Sequence, residues 1–243
     1  MNYTTPSGFR DVLADEAARR EEAAFDVQQL LSRSGYVPVE TPTLEIMDVM
    51  NAGGRVPGTP FKLFDSRGDL LALRPDVTLQ IARMCATRLA GQPGPFRFRY
   101  QERVFREAEG RPQAEAREMT QVGVELIGEA GPSADAEVIA LLAESLEQIG
   151  VGNFRISVAT VGVLRALLAG CGADEAWKSG VLSAYHASNF VKLDELTGPG
   201  AQTAGVAPVF AQAIRALANV RGGREAVARV RDLVTPLGCQ DGL

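Results

Sequence analysis

YQERVFREAEGRPQAEAREMTQVGVELIG, from Tyr100 to Gly128, reads as a strand, a polar loop carrying arginines and a second strand. Strand side chains alternate between faces. Met119, Gln121, Gly123, Glu125 and Ile127 therefore share one face, and Val122, Val124 and Leu126 fill the other. The incoming strand, Phe96 to Phe105, sets Phe96, Phe98 and Tyr100 against Arg97, Arg99 and Gln101, so the pattern predicts an antiparallel hairpin. The loop charges from Glu107 to Arg117 fit an ordinary solvated connection. Gln121 and Glu125 do not, because an amide and a carboxylate on an otherwise apolar face are costly to bury without partners. Gly123 between them leaves room for a small molecule. Such a layout suits a cationic, hydrogen-bonding ligand.

Upstream, Leu13, Ala17, Ala24, Val27 and Leu31 recur at helical spacing, and Gly35 marks the stop. Tyr36 to Val39 begins an extended segment in which Pro38 and Pro42 oppose helix. Phe61 to Phe64 and Leu70 to Leu73 flank Asp65-Ser66-Arg67-Gly68-Asp69 as a second hairpin. That hairpin delivers Asp76 and Thr78 to the start of a helix bearing Val77, Ile81, Met84 and Leu89. Asp76 has two readings at this point: a ligand contact, or a helix-start residue favoured by the dipole.

Downstream, Ser133 and Asp135 open a helix whose predicted stripe is Ile139, Leu142, Ala143, Leu146 and Ile149, closed by Gly150. Phe154, Ile156 and Val158 predict another strand. From Val161 the pattern turns helical through Leu164, Leu167, Trp177 and Val181, then from Val209 to Leu217 and from Val227 to Leu233. The composition shift near Thr160 separates a mixed core, residues 1–160, from an all-helical region, residues 161–243.

A hydrophobic content of 46% over 243 residues can supply a sizeable core, and the formal charge of -5 argues against a nucleic-acid partner, because phosphate contacts dominate such binding. No run of about 18 apolar residues predicts a membrane span, and the polar start lacks the pattern of a signal peptide; the expected location is cytoplasmic. Cys85, Cys171 and Cys239 are far apart and His186 is the one histidine, so neither zinc nor Cys-His chemistry is supported. Gly53-Gly54 and Gly222-Gly223 lack the flanking residues of phosphate loops and read as turns.

Phe105-Arg106-Glu107 together with Thr120 to Glu125 resembles the second signature motif of class II aminoacyl-tRNA synthetases, in the histidyl-tRNA synthetase branch. Pro6 to Asp11 resembles that branch's N-terminal opening. Gly35-Tyr36 through Glu40-Thr41-Pro42 resembles the first class II motif, a dimer-interface element, and Leu73 to Thr78 the loop that holds the amino acid's ammonium. Two departures stand out. Asp76 occupies a position where the synthetases carry Glu, and Ala114-Glu115-Ala116 lies close to where they supply an arginine for the ATP phosphates, so that Glu115 would repel a triphosphate. The third class II motif, the segments completing the histidine pocket and the anticodon-binding domain do not appear in this sequence.

With these departures the chain resembles the regulatory-subunit family of ATP phosphoribosyltransferase, synthetase paralogues that pair with a short catalytic subunit in histidine biosynthesis. It resembles that family without its C-terminal part. The resemblance implies an α+β fold: a class II synthetase-like antiparallel sheet flanked by helices, followed by the small helical region. It implies a non-catalytic subunit with no cofactor and no metal, a homodimer through Tyr36 to Pro42, a hetero-oligomer with the catalytic subunit, and histidine as feedback effector. The histidine site would use Asp76, Thr78, Arg106, Gln121 and Glu125, the ammonium near Asp76, Thr78 and Gln121 and the imidazole near Glu125. Two alternatives stay open: an amino-acid-activating ligase in which Arg106 stabilises the α-phosphate, and an assembly scaffold with a vestigial pocket. The absent segments also imply a sheet short of members and weak histidine binding by the isolated chain.

Overall fold

Leu13 leads into α1, Ala14–Arg33, in a computed structural model that describes residues 4–52, 59–107, 116–199 and 205–239. Asp15 and Glu16 in the first turn and Arg33 in the last complement the helix dipole. The helix ends in a Schellman motif: Gly35, at φ +86°, donates its N–H to Ser32 O, and Tyr36 donates to Leu31 O. That turn drives Tyr36 into the interior, where it is 2% exposed.

The chain divides into two units, Met1–Arg155 and Ile156–Leu243. The first holds two three-stranded sheets. In one, β1 (Val37–Pro38) runs parallel to β5 (Phe96–Phe105), which pairs antiparallel with β6 (Glu118–Ile127). In the other, β2 (Leu44–Ile46) and β3 (Lys62–Phe64) flank β4 (Leu70–Leu73), and a short helix α2 (Met47–Ala52) follows β2. The turn between β3 and β4 is held by Asp65, whose carboxylate accepts the N–H groups of Arg67 and Asp69. β4 runs through Arg74-Pro75-Asp76 into α3 (Thr78–Thr87).

Both faces of the β5–β6 hairpin are covered, as their alternation requires. Val122, Val124 and Leu126 pack with Leu31, Tyr36 and Leu141, the last from α4 (Pro132–Gln148). Phe98, Tyr100, Val104, Met119 and Ile127 pack with Val77 and Ile81. Arg97, on the first of these faces, donates to Glu137 and Glu129, and Glu137 also accepts the Tyr36 hydroxyl at 2.7 Å.

Two expectations are corrected here. The buried stripe of α4 runs through Ala134 and Leu141, whereas Leu142 is 53% exposed. Adjacent leucines lie about 100° apart on a helix, and contact with Leu31 and Tyr36 selects the first of them. Phe154, Ile156 and Val158 form no strand among the described residues, and Val158 is largely exposed. Alternation supplies faces, but a strand exists only where a neighbour takes up its backbone hydrogen bonds.

The second unit contains α5 (Gly162–Gly170), α6 (Glu175–His186), α7 (Phe190–Thr197), α8 (Pro208–Ala218), α9 (Arg224–Val234) and a 3-10 turn at Thr235–Leu237. Asp174 caps α6 by accepting Trp177 N–H at 2.7 Å, and Asn189 caps α7 by accepting Lys192 N–H at 2.9 Å. The core joins Val163, Leu164, Leu167, Leu168, Val181, Leu193, Ile214 and Val234. His186, at the end of α6, is exposed. No helix among the described residues is long and apolar enough to cross a membrane, and none of their acidic, Cys and His side chains group as metal ligands.

Candidate functional site

The register of the hairpin places the site. Tyr100 lies opposite Gly123, Phe98 opposite Glu125 and Glu102 opposite Gln121. Thr78, the first residue of α3, reaches this face and donates its hydroxyl proton to Glu125 Oε1 at 2.7 Å. Gln121 donates from Nε2 to the Tyr100 hydroxyl at 3.2 Å. Asp76 is 9% exposed and acts electrostatically on both Glu125 and Tyr100.

The loop that carries Asp76 is tied down by its neighbour. Arg74, 3% exposed, donates from Nε to Arg103 O and from Nη1 to Thr41 O, each at 2.7 Å, and its Nη2 pairs with Glu102. Thr41 in turn donates to Gln80 Oε1 at 2.7 Å, while Gln80 donates to Pro42 O at 2.8 Å. Arg83, also on α3, donates to the buried Glu45 at 2.8 Å. A guanidinium satisfied on three sides is a rigid anchor, so the start of α3 is held against β5 rather than left as a free loop.

The electrostatics are those of a negatively charged cluster. Burial raises the Glu125 carboxyl above its ordinary range; the Thr78 hydrogen bond opposes this and the Asp76 charge adds to it. Burial and the nearby charges of Glu125 and Asp76 push the Tyr100 phenol up to about 12. Burial, then Glu125, raises the Cys85 thiol. Two acceptors in this cluster are buried with no hydrogen-bond partner, Asp76 Oδ1 and Gln121 Oε1. A buried acceptor without a donor costs about 1–3 kcal/mol. The arrangement is complementary to a group that is cationic and rich in N–H donors.

Four of the five residues expected at the site come together: Asp76, Thr78, Gln121 and Glu125. The fifth, Arg106, donates from Nε to Pro75 O at 2.9 Å, where it ties the hairpin to the Asp76 loop. The space over Gly123 is a correction. It is taken by the Tyr100 ring: a Cβ on Gly123 would lie 2.5 Å from the phenol oxygen and 2.7 Å from Cζ. The glycine makes room for a side chain of its own sheet, not for a ligand. Sequence reasoning missed Tyr100 and the roles of Arg74, Glu102 and Gln80. For Tyr100 no count along the sequence sufficed, because the long connection between the strands leaves the register that sets it across from Gly123 to the fold. Ala114 and Glu115 of the hairpin loop and Gly53-Gly54 lie outside the described residues.

Comparison with known proteins gives a consistent result. The profile of the histidyl-tRNA synthetase family matches residues 8–241. The ATP phosphoribosyltransferase regulatory subunit of Desulforamulus reducens is 36% identical over 97% of this chain, which spans 58% of that relative's length. A crystal structure described as an ATP phosphoribosyltransferase regulatory subunit/histidyl-tRNA synthetase from Bacillus halodurans superposes with a TM-score of 0.83 at 30% identity, covering 99% of this chain and 63% of the other. Histidyl-tRNA synthetase from Nostoc sp. PCC 7120 shares the fold, with a TM-score of 0.72 at 22% identity, covering 98% of this chain and 54% of that one.

Proposed function

The chain belongs to the histidyl-tRNA synthetase family, and from that premise we propose that it serves as a non-catalytic regulatory subunit of ATP phosphoribosyltransferase, binding histidine as effector. The observation that carries the reading is the pair of buried, unpaired acceptors, Asp76 Oδ1 and Gln121 Oε1, beside the Thr78–Glu125 hydrogen bond. An α-ammonium supplies N–H donors to both acceptors and a positive charge to Asp76. An imidazole N–H then meets Glu125, whose proton affinity its surroundings have already raised. The names of the relatives point the same way.

In this reading the partner is a short catalytic subunit, the homodimer forms through Tyr36 to Pro42, and the protein works in the cytoplasm. Tyr36 at the head of the segment is buried, and β1, which follows it, leaves Val37 54% exposed while its backbone pairs with β5. The unit boundary of the function falls near Thr160, with residues 1–160 carrying the site. Inhibition then follows from linkage: histidine shifts the assembly toward whichever state binds it more tightly, by no more than the difference in affinity.

Calorimetric titration of L-histidine into the chain, alone and mixed with the catalytic subunit, tests the proposal. Saturable binding in the mixture, with histidine-sensitive phosphoribosyl transfer, is the expected result. Absence of binding in both samples overturns it. Histidine-dependent exchange of labelled pyrophosphate into ATP would instead make the chain an amino-acid-activating ligase.

A further inference from the structure

The sheet of β2, β4 and β3 has one covered face and one open face, and its register fixes which side chains share each. Leu44 pairs with Leu73, Ile46 with Leu71 and Leu63 with Leu71, whereas Glu45 and Lys62 both pair with Ala72. Directly paired residues point to the same side of a sheet. Leu44, Ile46, Leu63, Leu71 and Leu73 therefore make up one face, with no charge among them. Glu45 and Ala72 lie on the other, where both are buried and Glu45 accepts from Arg83 of α3. The apolar face has no such cover among the described residues: Leu44, Ile46 and Leu63 are 39%, 54% and 36% exposed. Single exposed leucines are ordinary, but apolar side chains contiguous across three strands mark a contact surface.

We propose that this face seats a second copy of the chain, and that the seat is linked to the histidine site through β4. A two-fold contact brings a patch against itself, and a face without charges meets its own copy without burying an unpaired one. Homodimer interfaces are also more apolar and poorer in charge than transient ones. The face starts at Leu44, two residues after Pro42, so it continues the Tyr36 to Pro42 segment. The linkage follows from what the sheet holds. β4 leads directly into Arg74, whose backbone N–H donates to Thr43 O beside β2 and whose guanidinium reaches Thr41 O. On the covered face Glu45 holds Arg83, on the helix that begins with Thr78. A copy seated on the open face thus stiffens the strands that position Asp76 and Thr78. Histidine then favours the dimer as much as the dimer favours histidine; this linkage rests on the reading of the site as one for histidine.

Sedimentation velocity of the full chain over a range of concentrations tests the seat. The parent should sediment as a dimer, and Ile46→Lys and Leu63→Lys as monomers with unchanged circular dichroism. Val227→Lys, at a similarly exposed position in the helical unit, should stay dimeric. A monomeric parent, or a dimer that survives both sheet substitutions, overturns the proposal. If the parent is monomeric and the sheet variants lose only co-migration with the catalytic subunit, the face belongs to that subunit instead. Calorimetry tests the linkage: histidine affinity should fall about fivefold or more in the monomeric variants, and an unchanged affinity there overturns the linkage while leaving the seat. If the unaltered protein binds no histidine, the reading of the site fails, and sedimentation still decides the seat.

Discussion

The two units have different interiors. The described residues of Met1–Arg155 bury Glu45, Arg74, Asp76 and Gln80, whereas the only buried polar residue described in Ile156–Leu243 is Thr197, whose hydroxyl merely back-bonds to Leu193 O at 2.8 Å. An apolar core stabilises by removing area from water and asks little of geometry. A buried polar network stabilises little relative to an apolar one of the same volume, but removing one member is costly. The first unit therefore carries an interior whose value lies in placing Asp76 and Thr78, and the second carries one whose value lies in cohesion.

Four substitutions can break or sharpen this contrast. Arg74→Ala should have the largest effect, about 3–5 kcal/mol of stability in urea unfolding, because Glu102 loses its partner and the carbonyls of Arg103 and Thr41 lose their donors. If it costs less than the next substitution, the polar network is not what secures the first unit. Leu167→Ala, at a fully buried position in the helical core, should cost about 2–5 kcal/mol by cavity formation. It should leave histidine affinity unaltered, and a change in that affinity would end the separation of roles drawn here.

Glu125→Gln should weaken histidine binding by about 1–3 kcal/mol, through loss of a charge-assisted hydrogen bond to the imidazole. The same substitution has a pH signature in the ligand-free protein. The folded-state carboxyl is raised above its unfolded value, so the folded chain holds this proton more tightly. Its contribution to stability is greatest below the unfolded pKa and is lost as pH rises from there through the folded pKa. Glu125→Gln should therefore gain stability relative to the parent as pH rises through that window, and unfolding curves at a series of pH values would show it. A parent protein that instead gains stability relative to Glu125→Gln as pH rises would contradict the raised carboxyl. The smallest effect is expected for Asp174→Ala, about 1 kcal/mol, since only the cap on the Trp177 N–H is removed. Thermal unfolding would measure it, and a loss as large as that of Leu167→Ala would show that capping rivals the core in holding the helical unit.

Much of the scaffold was legible in the residues themselves. The ten-residue strands of the hairpin, the helix stop at Gly35 and the turn at Asp65 follow from local rules, and each appears where those rules put it. Of the five residues that the pattern and the family resemblance singled out, Asp76, Thr78, Gln121 and Glu125 lie together in the fold, with Arg106 bonded to Pro75 O beside them. The construction of the site was not legible. Tyr100 and Gly123 meet only through a strand register, Arg74 meets Glu102 only where the segment after β4 reaches β5, and the stripe of α4 was misread because Leu141 and Leu142 are equally apolar until a neighbour chooses between them.

The sequence by itself determined the order of elements, the two faces of the hairpin and the acidic, amide-bearing character of one of them. Alternation and helical periodicity are short-range properties, written in each residue's own chemistry and that of its nearest neighbours. Only the tertiary structure decided that the space over Gly123 belongs to Tyr100, that Arg106 is committed to Pro75 O, and that Asp76 Oδ1 and Gln121 Oε1 are left without donors. Whether a polar group is satisfied depends on which distant atoms surround it, and that is settled only when the chain has closed around it.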